Sequence, residues 1–473
     1  MNWEECVIKI EVKSTNLDFN SPLDNTNIIS SSGSGFFIGD KQILTCYHVI
    51  QYAVSIEIIY NQTAGVPGII KHIFPDDDLA IIEIDNKFEA IQILNFKNLS
   101  SNINNEPVYT IGFPGTNNII ISKGIISGFR KSLIQTDATL NSGNSGGPLV
   151  MLDIQTNEWV IIGINVSKLS GGNKEGTGFA VPSYRYTQLL DRLKQNESII
   201  INKPSWEFDY QVIKQDSLRN FLFKDYKPEN HNILVFLIKH KFGVMVSEIN
   251  TNNYLHKHLK KNDILLSINN TQFDQWVTNS KLDINSINSI NNLNGFIDIN
   301  GFIKFDFYPD KISLHNLYYW FDINQEISIT FFDSITKTIV TTPLKLEYHE
   351  NNMINFYKLD NSEYYFIENN NLILSIFTKQ HYENISCLNL KMTQIFKILN
   401  RYLYRRDLFT VYLSNINPEI YKDNKKFNKY PIGDIIVEIN NKTFDNYDSF
   451  KLIVKDPIES IKTIENKIYF INN

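Results

Sequence analysis

A mainly β protein is predicted, on three observations. Apolar, β-branched and aromatic residues around the Gly-Asp turn at residues 39–40 read as paired strands. Further on, the segment Asp263-Ile264-Leu265-Leu266-Ser267-Ile268-Asn269-Asn270-Thr271-Gln272-Phe273 recurs as Asp434-Ile435-Ile436-Val437-Glu438-Ile439-Asn440-Asn441-Lys442-Thr443-Phe444, which signals two copies of one supersecondary unit. Finally, 473 residues at 42% hydrophobic content supply cores for about three domains.

In chain order, Gly35-Phe36-Phe37-Ile38 and Gln42-Ile43-Leu44-Thr45-Cys46-Tyr47-His48 flank the turn Gly39-Asp40-Lys41 and read as a hairpin with His48 at a strand end. Ile69 to Phe74 alternates as an exposed strand, leaving His72 as a solvated surface histidine. The acids Asp76, Asp77 and Asp78 then open the apolar strand Leu79–Ile84. Helix periodicity over Tyr184–Leu193 stops before Asn202-Lys203-Pro204-Ser205, so a boundary is expected near residue 205. Beyond it, each repeat follows another strand, Phe242–Ile249 in the first copy and Phe409–Ile416 in the second, and the Asn-rich Ser286–Asn294 reads as an insertion loop.

The chemistry sits in Thr136-Asp137-Ala138-Thr139-Leu140-Asn141-Ser142-Gly143-Asn144-Ser145-Gly146-Gly147-Pro148. A serine between glycines suits attack on a carbonyl, because the resulting oxyanion needs backbone N–H donors converging on one point. Glycines allow that inward turn. Ser145 is thus the candidate nucleophile, with the N–H groups of Gly143 and Ser145 as oxyanion donors. Such a serine needs a base and an orienting carboxylate. His48 is the better placed of the two histidines in the first 200 residues. Asp78, at the edge of the buried run, is the acid best placed to meet it, whereas Asp76 and Asp77 read as solvated loop charges.

These motifs carry a resemblance. Gly33-Ser34-Gly35-Phe36, Thr45-Cys46-Tyr47-His48-Val49, Asp78-Leu79-Ala80 and Gln135-Thr136-Asp137-Ala138 running into Gly143–Pro148 look like the Deg/HtrA branch of the chymotrypsin-like serine proteases. Gly163-Ile164-Asn165 and Gly178-Phe179-Ala180-Val181-Pro182 resemble its two closing strands. The resemblance covers residues from about 30 to 190. It implies a chymotrypsin-like double β-barrel, His48 as general base, Asp78 as its tautomer-fixing partner and an ATP-independent endopeptidase acting on unfolded or damaged proteins. It further implies a substrate pocket at Thr139, Leu140 and Ile164, uncharged and suited to Val, Ala, Ile or Leu. Asn144 replaces the acid by which digestive relatives capture a new N-terminus, so that activation route is not expected.

After Leu218 the chain resembles, more loosely, the tandem PDZ region of plant organellar Deg proteases, which implies two PDZ-like α/β domains that capture peptide segments by strand addition. Ser217–Phe223 is a candidate carboxylate-binding loop for the first copy. Asn371–Phe377 is a candidate edge strand for the second, and ordinary core is the competing reading of both. The expected domains are 1–205 (protease), 206–348 (PDZ-like domain 1) and 349–473 (PDZ-like domain 2). The resemblance also implies a homo-oligomer, a trimer or a multiple of one.

The remaining composition excludes more than it assigns. Three cysteines, Cys6, Cys46 and Cys387, make no disulfide framework and point to a reducing compartment, and Cys46 reads as a core thiol. No metal or other cofactor is expected. A net charge of −6 offers no basic face for nucleic acid, and Arg401–Arg406 reads as a solvated helix face. No apolar run reaches the roughly 18 residues of a membrane span. The first residues lack a leader pattern, so a cytoplasmic location is expected, or the virion or host cytoplasm if the Asn-, Ile- and Lys-rich composition of an AT-rich genome is viral. The alternative to an active protease is a proteolytically silent PDZ scaffold or holdase chaperone retaining the protease fold.

Overall fold

A computed structural model of the chain describes residues 2–15, 28–61, 64–85, 88, 91–99, 103–115, 117–130, 132–166, 177–194, 198–206, 208–223, 231–249, 253–278, 294–306, 308–348, 366–369, 372–378, 381, 394, 410–416 and 432–470. Two compact units emerge, one of Met1–Glu11, Ser32–Ile50 and Ile56–His349, the other of Val12–Ser31, Gln51–Ser55 and Glu350–Asn473.

Six strands close the first barrel: β1 (Val7–Thr15), β2 (Ile28–Gly39), β3 (Gln42–Cys46), β4 (Ala53–Ile59), β5 (Val66–Phe74) and β6 (Leu79–Ile84), in the order β1-β2-β3-β6-β5-β4. Gly39 pairs with Gln42 across the expected tight turn. β6 pairs on both edges, with β3 and with β5, and its near-continuous apolar run fits a strand buried on both faces. β3 stops at Cys46, and the next four residues form the short helix α1 (Tyr47–Ile50). His48 therefore stands in a helical turn rather than at the end of the strand.

β7 (Asn95–Phe96) runs parallel to a strand of the second barrel, which comprises β8 (Pro107–Gly112), β9 (Ile120–Arg130), β10 (Leu133–Thr136), β11 (Pro148–Asp153), β12 (Glu158–Val166) and β13 (Gly178–Pro182). The order β11-β8-β9-β10-β13-β12 closes on itself through β11–β12. Val108, Ile126, Ile134, Leu149, Ile162 and Ala180 fill it. The result is a chymotrypsin-like double β-barrel. The helical stretch after it breaks at Gln188 and Leu189 into α2 (Ser183–Thr187) and α3 (Leu190–Leu193).

A five-stranded sheet follows: β14 (Phe208–Val212), β15 (Val244–Ile249), β16 (Ile264–Ile268), β19 (Glu326–Phe332) and β20 (Ile339–Lys345). Between these lie α4 (Asp216–Leu222), α5 (His231–His240), α6 (Thr271–Thr278) and the small hairpin β17 (Phe302–Lys304) and β18 (Lys311–Ser313). The second unit holds the sheet β21-β22-β23-β24-β26-β27, from β21 (Phe366–Asn369), β22 (Leu372–Ile376), β23 (Val411–Ile416), β24 (Ile435–Ile439), β26 (Ser460–Thr463) and β27 (Ile468–Phe470), with β25 (Lys442–Thr443) beside β24 and α7 (Tyr447–Ile453) packed on it.

The sequence repeat is a structural repeat. Val244 pairs with Leu265 and Met245 with Ile264, just as Val411 pairs with Ile436 and Tyr412 with Ile435. Asn269 and Asn440 both adopt left-handed backbone (φ 52° and 49°) and both accept backbone N–H bonds from a neighbouring strand, from Ser328 and from Glu459 and Ser460 respectively. The copies then diverge. Asn270 caps α6, with the Phe273 N–H donating to its Oδ1 at 2.8 Å, whereas the second copy returns as strand β25.

The two candidate peptide-contact segments are a helix and an internal strand. Ser217–Phe223 lies in and just after α4, where Arg219 is fully buried and donates to the Ile213, Phe242 and Gly243 carbonyls. β22 pairs on both edges, so it is not an edge strand. Arg401–Arg406, Cys387 and residues 286–293 of the expected insertion loop lie outside the described residues.

Candidate active site

Asp78 grips His48 twice. Its Oδ1 accepts the His48 backbone N–H at 2.9 Å, and its Oδ2 lies 2.7 Å from His48 Nδ1. Its carbonyl also accepts the Tyr47 N–H at 3.0 Å. The early N–H groups of a helical turn have no partner within the turn, and a carboxylate is a favourable acceptor for them. Asp78 thus starts α1 and orients its histidine in one act. Both side chains stay about a third exposed. Burial pushes the His48 pKa down, but the hydrogen bond and charge of Asp78 outweigh it, and the net shift is upward from 6.5.

The serine loop is held by residues from distant strands. Ser34, fully buried on β2, donates its N–H to the Ser145 carbonyl at 2.8 Å and its hydroxyl to the Gly143 carbonyl at 2.7 Å, while its Oγ accepts the Phe113 N–H at 2.9 Å. Asn165 on β12 accepts the Gly146 N–H at 2.9 Å and the Cys46 thiol at 3.3 Å through one carbonyl. Two glycines here admit no side chain. Gly143 has φ 98°, and a Cβ there would stand 2.5 Å from the Phe113 carbonyl oxygen. Gly146 has φ 86°, and its Cβ would stand 2.2 Å from both the Ser34 carbonyl and Thr45 Oγ1. This close approach puts the residue after Ser145 against the end of β3, two residues before His48.

Of the expected pocket residues, Leu140 (4% exposed) is buried in the loop between β10 and β11, Ile164 (0%) is buried on β12, and Thr139 is exposed, its carbonyl accepting from Thr110. Leu140 faces Gly178, where an added Cβ would lie 2.7 Å from Leu140 Cδ1. The sequence reading gave no separate role to Ser34 or Asn165. Their presence in two quoted motifs is the only signal, because what they do is set by partners outside those motifs, 109 residues away for the Ser34–Gly143 bond and 119 for the Cys46–Asn165 contact.

Two expectations are corrected. His72 is buried, and its Nδ1–H donates to the Ser198 carbonyl at 2.8 Å, because the chain beyond α3 returns and bridges to β5 at Ile73. Asp77 is not solvated. It is 2% exposed and pairs with Arg185 Nε at 2.6 Å and Lys203 Nζ at 3.5 Å. The Asp76 carboxylate likewise accepts the Lys203 backbone N–H at 3.1 Å. Of the three successive acids, only Asp78 faces the histidine.

Cys46, His48 and Asp78 bring potential metal-ligand atoms within 4.8 Å of one another, the one such cluster among the described residues. Their chemistry does not favour a metal. Burial drives the Cys46 thiol pKa well up, that thiol donates to Asn165, and His48 and Asp78 are committed to each other.

The trypsin-like peptidase domain family matches residues 33–164. The mitochondrial Do-like protease 3 of Arabidopsis thaliana is 29% identical over 276 residues, covering 55% of this chain and 45% of its own length. Serine protease HTRA4 of Mus musculus is 32% identical over 266 residues, covering 53% and 51%. Among solved structures, a variant of the HtrA-type protease AlgW with a decapeptide aligns with a TM-score of 0.48 at 18% identity, over 73% of this chain and 94% of its own. The chain spans about half the length of the curated relatives it matches.

Relatives are named mitochondrial, chloroplastic and periplasmic, which points away from the cytoplasm and overturns that expectation. The expectation rests on the lack of a leader pattern and of a membrane span and on three sparse cysteines, none of which fixes a compartment. Among the described residues no helix is long and apolar enough to cross a membrane. Residues 33–164 are a trypsin-like peptidase domain of the kind found in Do-like and HtrA serine proteases.

Proposed function

We propose that this chain is an ATP-independent serine endopeptidase that cleaves peptide bonds of unfolded or damaged proteins. The observation that carries the reading is the double grip of Asp78 on His48, which holds Nδ1 protonated and leaves Nε2 to accept a proton. Ser145 Oγ attacks the carbonyl carbon as its proton passes to His48 Nε2. The N–H groups of Gly143 and Ser145 hold the oxyanion. The C–N bond then breaks as His48 returns that proton to the leaving amine, and water repeats the sequence on the acyl-enzyme to free Ser145. An active-site fluorophosphonate should label Ser145 and block casein cleavage. An unlabelled Ser145 would favour the silent scaffold.

Residues 206–348 and 349–473 act in this reading as PDZ-like units that capture peptide segments. The matching register of their two strand pairs supports it. A homo-oligomer, a trimer or a multiple, is part of the same reading and is checked by mass measurement in solution.

The raised pKa of His48 sets the pH dependence. A base works only when unprotonated, so activity is lost as pH falls through that pKa. The acid limb of kcat/KM on a peptide substrate is expected above pH 6.5, and Asp78→Asn should move it down. A limb below 6.5 in the unsubstituted protein would contradict the grip as drawn.

Thr139, Leu140 and Ile164 offer no charge to a substrate side chain. Peptide-library profiling is expected to return Val, Ala, Ile or Leu before the cleaved bond, with neighbouring sizes separated by ~1–3 kcal/mol. A preference for Arg or Lys would overturn this pocket.

A further inference from the structure

We propose that Arg185, seated on the ring of Tyr319, is a positioning residue for catalysis: it holds the acid turn that presents Asp78 to His48. The inference rests on the protease reading above.

The turn Pro75–Asp78 ends in strain. Asp78 has φ 54°, a conformation that a residue with a side chain keeps only where its surroundings over-determine it. The structure supplies those surroundings from one later segment. Arg185 Nε reaches Asp77 Oδ1 at 2.6 Å and its Nη2 donates to the Asp76 carbonyl at 3.1 Å. Lys203 donates its backbone N–H to Asp76 Oδ2 at 3.1 Å and places Nζ 3.5 Å from Asp77 Oδ2. Both oxygens of Asp77 and the Asp76 carbonyl are thereby drawn inward, which leaves Asp78 as the acid turned to the histidine. These charges are buried, with side-chain exposures of 4% for Arg185 and 2% each for Asp77 and Lys203. A pair so placed is weakly screened and geometrically demanding.

Arg185 has a second contact, and it comes from beyond residue 206. Its guanidinium lies 4.0 Å from the ring centroid of Tyr319, in the 3-10 turn Leu314–Trp320. An aromatic face is a favourable seat for a desolvated guanidinium. That turn is itself anchored to the stretch carrying Arg185. Gln188 Nε2 donates to the Trp320 carbonyl at 2.7 Å, the Tyr184 and Trp320 rings lie 5.4 Å apart, and Arg192 pairs with Asp322. The chain after the barrels thus reaches the acid turn through Arg185, in addition to any part in holding substrate.

The test uses the full chain. Arg185→Lys keeps the charge but loses the planar fork, and Tyr319→Leu keeps bulk but loses the aromatic face. Tyr319→Phe keeps the face and is the rescue. Each is checked for a cooperative unfolding transition, then assayed for kcat and KM on a short apolar peptide and for fluorophosphonate labelling rate. Arg185→Lys and Tyr319→Leu are expected to lower kcat and labelling on the order of 10- to 100-fold, as small misplacements of catalytic groups do, with KM within about twofold. Tyr319→Phe should match the unsubstituted protein. Unchanged kcat in folded Arg185→Lys and Tyr319→Leu, or a loss confined to KM, overturns the brace alone. Failure of the unsubstituted protein to label at Ser145 overturns the protease reading and the brace with it.

Discussion

Ser145→Ala is expected to abolish casein cleavage and fluorophosphonate labelling while leaving the fold unchanged. The loss of kcat should be on the order of 10⁶-fold, since removing a triad nucleophile costs about as much as removing the whole triad. The fold should survive because the contacts that secure this loop are made by backbone and glycine. The Ser145 carbonyl accepts from Ser34, the Gly146 N–H donates to Asn165, and neither bond involves the Ser145 hydroxyl. His48→Ala should behave alike. Circular dichroism and an unfolding curve alongside the casein assay separate loss of chemistry from loss of structure. Appreciable cleavage by folded Ser145→Ala would remove Ser145 from its assigned role.

Asp78→Asn is expected to cost roughly 10⁴-fold in kcat. The geometry says why the carboxamide cannot substitute. One Asp78 oxygen accepts the His48 backbone N–H and the other faces Nδ1. If the asparagine oxygen keeps the backbone bond, its NH₂ faces Nδ1 and forces the proton onto Nε2, where it blocks uptake of the serine proton. If the amide flips, NH₂ meets the backbone N–H, donor against donor. Asp77→Asn should behave differently. It leaves Arg185 and Lys203 buried without their shared counter-charge, a change that costs about 3–5 kcal/mol of stability when a buried pair is broken. Its signature is therefore a lowered unfolding midpoint, together with whatever loosening of the acid turn follows. If Asp76→Asn or Asp77→Asn abolished activity while Asp78→Asn did not, the acid would be misassigned.

The sequence by itself determined the parts of this protein whose physics is local. The Gly-Asn-Ser-Gly-Gly loop is legible because the glycines at 143 and 146 must adopt positive φ against neighbouring backbone, so no other residue writes that turn. The hairpin at Gly39–Gln42, the apolar strand β6 and the repeated unit at Asp263 and Asp434 are legible because apolar runs and turn chemistry act over a few residues. Tertiary structure decided whatever depends on a partner far along the chain. Position beside the apolar strand singles out Asp78 among three adjacent aspartates, but that Asp77 is buried rather than solvated is decided by Arg185, 108 residues later, which folds onto it. His72 is buried by Ser198, 126 residues on. The shared Asn-Asn leads into helix α6 in one copy and strand β25 in the other. Alternation and turn residues report only whether a position faces inward. Which charge it meets there is settled when distant strands close the barrels.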